Sequence, residues 1–179
     1  MNKVENYGRI LSLTIPDGWS DQTFLKESEI DPSLLRKFVL DENNDVQICL
    51  YTRNLPISFN SCNELRKLLA APCHELTPRE QILVQEVLEG MSSKEAFQAL
   101  SIRTESIDGI NILVAEGRWI RLAFDTLSFF VDVGGKYAVV QQIYFAAPRD
   151  AYLHHLAQAK AILYSIKFTE ISTQAEATT

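Results

Sequence analysis

The chain has 179 residues, 46% of them hydrophobic and 22% charged, with a mean hydropathy of −0.04. That length supports a sizeable core in one domain, and no apolar run nears the ~18 residues that a transmembrane helix needs. A net charge of −6 and a pI of about 5.1 argue against nucleic acid as the partner, because phosphate neutralisation by Lys and Arg supplies most of that affinity.

Met1 to Asn6 has no hydrophobic segment behind Lys3, so no export signal is read and a cytoplasmic location is expected. Cys49, Cys62 and Cys73 are odd in number and unpaired in spacing. No disulfide framework follows, which fits a reducing compartment. Leu11, Leu13 and Ile15 alternate with polar residues and predict a strand with one buried face. Pro16-Asp17-Gly18 ends it in a turn, and Trp19 is expected to pack beneath the sheet. Asp31-Pro32-Ser33 reads as a turn or short helix. Lys37 to Leu40 and Val46 to Thr52 read as a hairpin around the polar loop Asp41 to Asp45.

The middle reads as helical. Ser61 before Leu65 to Ala71, Thr77 before Gln81 to Glu89, and Ser92 before Ala96 to Leu100 each place a hydroxyl at the N-cap with a glutamate three residues on, at Glu64, Glu80 and Glu95. Pro78 suits the first helical position, and Gly90 suits a helix end. After Leu100 the period changes. Arg103 to Ile107 and Ile110 to Ala115 flank Asp108-Gly109, a strong hairpin signal. A third strand spans about Leu122 to Val133, and Gly134-Gly135 turns into a fourth from Tyr137 to Phe145. Ala147-Pro148 stops it. Tyr152, Leu156, Ala159, Leu163 and Ile166 then line one face of a closing helix that the strands before it must cover.

Two family resemblances use these residues. Leu76-Thr77-Pro78-Arg79-Glu80, Glu89 to Ala96 and Leu100 to Thr104 resemble the LuxR-type helix-turn-helix. That resemblance implies a DNA-binding regulator with a recognition helix from Thr104. The segment opposes it physically, with a central glycine, four β-branched residues after Ser106, two acids, and no Lys or Arg after Arg103. The second resemblance is wider. Ile15 to Trp19, Asp108 to Trp119, Phe130-Val131-Asp132, Gln141 to Pro148 and Tyr152 to Phe168 resemble the PsbP-like fold. That is the fold of the extrinsic photosystem II subunit, of a Ran-binding transport factor and of small bacterial proteins. It implies an α+β domain, an antiparallel sheet in an α/β/α sandwich, and a non-enzymatic docking role toward a protein partner it does not name.

The expectation is thus one α+β domain over 1–168, with a helical insertion at about 61–100 and a mobile tail at 169–179. His154 and His155 are adjacent on the closing helix and diverge by ~100°, so they do not form a metal pair. Cys73-His74 has no second pair at zinc spacing. Gly134-Gly135 precedes a strand and is no phosphate cradle. Asp41 and Glu42 sit in a solvated loop, and Cys49 reads as a small core residue. No catalytic residue, metal or cofactor is expected. The best binding candidates are Arg118, Trp119 and Arg121, the Arg-with-Trp composition of an interface anchor. Trp119 and Arg121 are expected on one strand face and Arg118 on the other.

Overall fold

The computed structural model describes residues 2–23, 34–89, 97–134 and 139–170, with 53–56 described by backbone alone. The strands are β1 (Asn2–Tyr7), β2 (Ile10–Ile15), β3 (Trp19–Asp21), β4 (Leu35–Leu40), β5 (Asn43–Pro56), β6 (Phe97–Ile107), β7 (Ile110–Trp119), β8 (Phe124–Asp132), β9 (Val139–Pro148) and β10 (Lys167–Phe168). The helices are α1 (Phe59–Ala70), α2 (Pro78–Leu83), α3 (Gln85–Glu89) and α4 (Arg149–Leu163). Among the described residues no helix is long and apolar enough to cross a membrane.

A seven-stranded antiparallel sheet in the order β3-β4-β5-β9-β8-β7-β6 forms the centre. Successive residues feed opposite faces. Ile112, Val114, Leu127, Phe129, Ile143 and Phe145 enter a core shared with α4 and with the small sheet β1-β2-β10. Leu113, Ala115, Phe130 and Val140 enter a second core with Leu65 of α1 and with Val84, Val87 and Leu88. The molecule is therefore an α+β domain with cover on both faces of its sheet. The closing helix buries Tyr152, Ala159 and Leu163 as the spacing requires.

The hairpin at Asp108-Gly109 overturns the helix-turn-helix reading. Both residues have positive φ, +52° and +76°, and Ile107 pairs with Ile110. This is a two-residue turn between strands, so residues 104–116 contain no recognition helix. Phe97 to Leu100 is strand as well, and the helical part of the middle ends at Glu89 among the described residues. Gly90, Ser92 to Glu95, Asp31 to Ser33, Gly135, Tyr137 and the tail from 171 onward lie outside the described residues.

Other boundaries move for local reasons. The first helix begins at Phe59 because Ser58, not Ser61, is its cap, its hydroxyl accepting from Ser61 N–H. Glu86 fixes that cap from 28 residues away, accepting from Ser58 N–H at 2.7 Å. Thr77 and Glu80 form the expected reciprocal cap with Pro78 behind them, but the helix breaks at Val84, which is fully buried. Leu11 is exposed and Ile10 buried. Pairing to β10 shifts register here, Lys167 opposite Ser12 and Phe168 opposite Ile10. Leu11 is the extra residue of a bulge, and a bulge re-aims its neighbours. Leu122 lies in a turn, so the third meander strand starts at Phe124, and the fourth runs on to Pro148.

Gly117 is the point of closest approach between β6 and β7. A Cβ there would sit 2.3 Å from the Gln98 carbonyl oxygen and 2.7 Å from the Phe97 ring. Gly117→Ala is expected to cost about 2 kcal/mol through overpacking against backbone, read as a lower urea midpoint.

Candidate functional site

The candidate residues sit at one end of the sheet. Trp119 ends β7, four residues turn, and Phe124 opens β8 directly opposite Trp119. Phe97, the first residue of β6, pairs with Trp119 from the other side. Their rings lie 5.0 Å apart at 48°, a tilted aromatic contact. Phe97 crosses the sheet at Gly117, which explains the absence of a side chain there. Trp119 is half-buried, so its outer part remains available.

Arg118 points to the opposite face, as its parity requires. Its guanidinium donates twice to the Asp125 carboxylate, at 2.6 and 2.8 Å. Asp125 is buried and directly opposite on β8. The bidentate pair raises the Arg118 pKa, first through its hydrogen bonds to Asp125. Arg118 is thus engaged in holding β7 to β8. Arg121 does not share the Trp119 strand face, because β7 ends at Trp119 and Arg121 lies exposed in the turn.

That turn, Ile120 to Ala123, is the feature the sequence hides. It contains no Gly, Pro, Asn or Asp, the residues that usually mark turns. Ala123 carries a φ of +56°, a left-handed conformation that costs a non-glycine residue energy. Ile120 is 56% exposed and Leu122 54% exposed. Nearby, β6 has a register shift between Ala99 and Ser101, and Leu100 between them is 73% exposed. On the far side Phe124 pairs with Pro148, and the exposed Arg149 follows. The corner therefore presents apolar side chains with two exposed cations, on a chain that is acidic overall.

His154 and His155 contact each other edge-on, with ring centroids 4.7 Å apart. Among the described residues no group of three or more His, Cys, Asp or Glu is placed to hold a metal ion. Cys49 is buried, which pushes its thiol pKa up to about 11. His74 instead serves the helical side. Its Nδ1 lies 2.8 Å from the Pro72 carbonyl oxygen, and its Nε2 lies 3.2 Å from Glu80. The Pro72 carbonyl, and then Glu80, raise its pKa above the ordinary value.

A second concavity lies at the other end of β8. A cleft of about 540 Å³ is lined by Arg9, Arg66, Asp132, Ile110, Leu69 and Glu170, among others. Arg66 donates to Asp132 at 2.6 Å. No sequence signal pointed to Arg9.

No protein-family model matches the chain, and no curated protein sequence matches it. Among solved structures, one similar chain is the solution structure of cyanobacterial PsbP (CyanoP) from Synechocystis sp. PCC 6803. The match covers 88% of this chain and 86% of that one, at 10% identity and a TM-score of 0.48. PsbP is the family whose motif order the sequence resembles. The likeness transfers no residue role, so the corner and the cleft stand on their own geometry.

Removing Asp125 and removing Arg121 should have unequal consequences for folding. Asp125→Ala is expected to lose about 1 kcal/mol with the two charge-assisted hydrogen bonds. Arg121→Ala is expected to stay within about 0.5 kcal/mol of the parent. Urea unfolding distinguishes them. The His74 contribution to stability should be fully present below about pH 6.5, the unfolded value, and should be lost as pH rises through the higher folded value. An NMR titration should place His74 above an unstructured histidine, and Glu80→Gln should bring it down.

Proposed function

We propose that this chain is a non-enzymatic protein-docking domain that binds its partner through the β7–β8 corner. The observation that carries the proposal is the Ile120–Ala123 turn. A turn that only reversed the chain would be polar and would use glycine or asparagine at the left-handed position. Here two large aliphatic side chains stand more than half exposed on either side of Arg121, on a backbone fixed by the Trp119–Phe124 pairing. Trp119 and Phe97 supply a rigid aromatic floor. Apolar anchors beside an arginine are the composition of an interface centre.

Arg121 and Arg149 are the exposed cations of this region, and the net charge of −6 makes their position distinctive. The complementary partner is a protein segment that presents apolar side chains with an acidic residue beside them. Such complementarity acts mainly on association rate and selectivity.

A photo-crosslinking residue placed at Leu122, with Thr14 on the small sheet as a control position, tests this in the source cell. The expected result is a discrete adduct at position 122 that is absent at position 14. Arg121→Glu should reduce it at least about tenfold while the thermal midpoint stays unchanged. Equal adducts at both positions, or an adduct indifferent to Arg121→Glu, would falsify the assignment.

A further inference from the structure

Arg9 is 4% exposed, and all three of its guanidinium nitrogens are buried without a hydrogen-bond partner among the described residues. Arginine is rarely buried unless paired, and an unpaired buried guanidinium is a costly arrangement that a folded chain keeps only under constraint. The constraint is visible in the backbone. The N–H of Arg9 donates to Gln141 Oε1 at 2.7 Å, and Gln141 Nε2 donates to the Tyr7 carbonyl oxygen at 3.1 Å. Gly8, with φ at +57°, lets Gln141 approach, since a Cβ there would lie 2.7 Å from the amide. On its other side the Arg9 carbonyl oxygen accepts from Thr169 N–H at 2.9 Å. The fold thus holds Arg9 in place from two distant parts of the chain.

Among the described residues, Asp132 and the exposed Glu170 are the carboxylates that line the cleft with Arg9. Asp132 is the carboxylate that acts on it, and Asp132 is already bonded by Arg66 Nε at 2.6 Å and by Gly134 N–H at 2.8 Å. Burial lowers the Arg9 pKa and Asp132 only partly restores it. Two cations therefore share one buried carboxylate at the floor of a cleft whose walls include the apolar Leu69, Ala70 and Ile110. Its volume of about 540 Å³ is within the range of small-molecule sites. Glu170 stands exposed among the lining residues, where it disfavours a multiply charged anion.

We infer that this cleft is a binding site for a small monocarboxylate with an apolar body, its carboxylate on the Arg9 guanidinium and its body against Leu69, Ala70 and Ile110. A guanidinium accepts a carboxylate through two parallel hydrogen bonds, which is the partner set that Arg9 lacks. The bound carboxylate sits on the buried Arg9 guanidinium while Asp132 stays with Arg66 and Glu170 stays exposed, and the apolar walls select against acetate-sized ions. Entry requires the side chains that cover the buried Arg9 nitrogens to move. The site lies at the Asp132 end of β8, opposite the Phe124 end that carries the docking corner, so the two proposals stand or fall separately.

Hexanoate is the probe, with hexan-1-ol and inorganic phosphate as comparison arms. On the full chain, hexanoate is expected to shift the Arg9 Nε–Hε resonance to saturation. At about ten times its dissociation constant it should also raise the thermal midpoint by about 3 °C. Hexan-1-ol and phosphate should do neither, and Arg9→Met should abolish both responses. The inference is overturned by an Arg9 resonance that hexanoate leaves unmoved, or by an equal midpoint rise in Arg9→Met. An equal response to hexan-1-ol or to phosphate also overturns it. If Arg9→Met does not fold, the resonance of the unsubstituted chain decides alone.

Discussion

A wide antiparallel sheet buried on both faces is the constraint from which the rest of this molecule follows. β8 is buried along all but its first residue, and alternation there divides one apolar core from another rather than apolar from solvated. Phe129 faces α4 and Phe130 faces α1. Each face of the sheet then demands its own cover. The closing helix and the small sheet meet one demand, and the helices between β5 and β6 meet the other.

The cover on the first face has to be fixed as well as apolar. Polar contacts at the borders of the core do this. Tyr152 O–H donates to Glu116 at 3.0 Å, and Tyr164 O–H donates to Glu105 at 2.6 Å. Burial, and then Glu105, push the Tyr164 pKa up to about 12, so this donor keeps its proton at neutral pH. Gln141 does the same for the small sheet by closing on Tyr7 and Arg9. Lys167 and the Phe168 N–H both bond Asp108. The hairpin residue that excludes a recognition helix thus also ties down the end of the chain after α4.

The legible parts of the fold were those specified by neighbours in sequence. Asp108-Gly109, the Thr77–Glu80 cap and the Tyr152 to Ile166 stripe each state their own geometry. The parts missed were specified from a distance. Lys167-Phe168 is too short to show a period, and it is a strand only because β2 lies beside it. Ser58 and Ser61 are equally good caps locally, and Glu86 chooses between them. Trp119 and Arg118 were placed correctly by parity along β7. Arg121 was not, because the Ile120–Ala123 turn uses none of the residues that announce a turn.

The same distinction separates the two candidate sites. At the corner, unusual chemistry appears as apolar residues where a turn should be polar, and the sequence already brought Arg118, Trp119 and Arg121 forward. In the cleft the chemistry of Arg9 is ordinary until the fold acts on it. In the sequence it is an arginine in a turn between two strands, where a solvated side chain is the usual outcome. Its backbone is held by Gln141 and Thr169 and its charge is met by Asp132, all more than a hundred residues away. A charge buried by such long-range agreement cannot be traced to one local packing choice. Relieving it would need one substitution, Arg to an apolar residue, which buried ion sites often accept with no loss of stability. The retained charge is therefore better explained by something that Arg9 binds than by anything it stabilises.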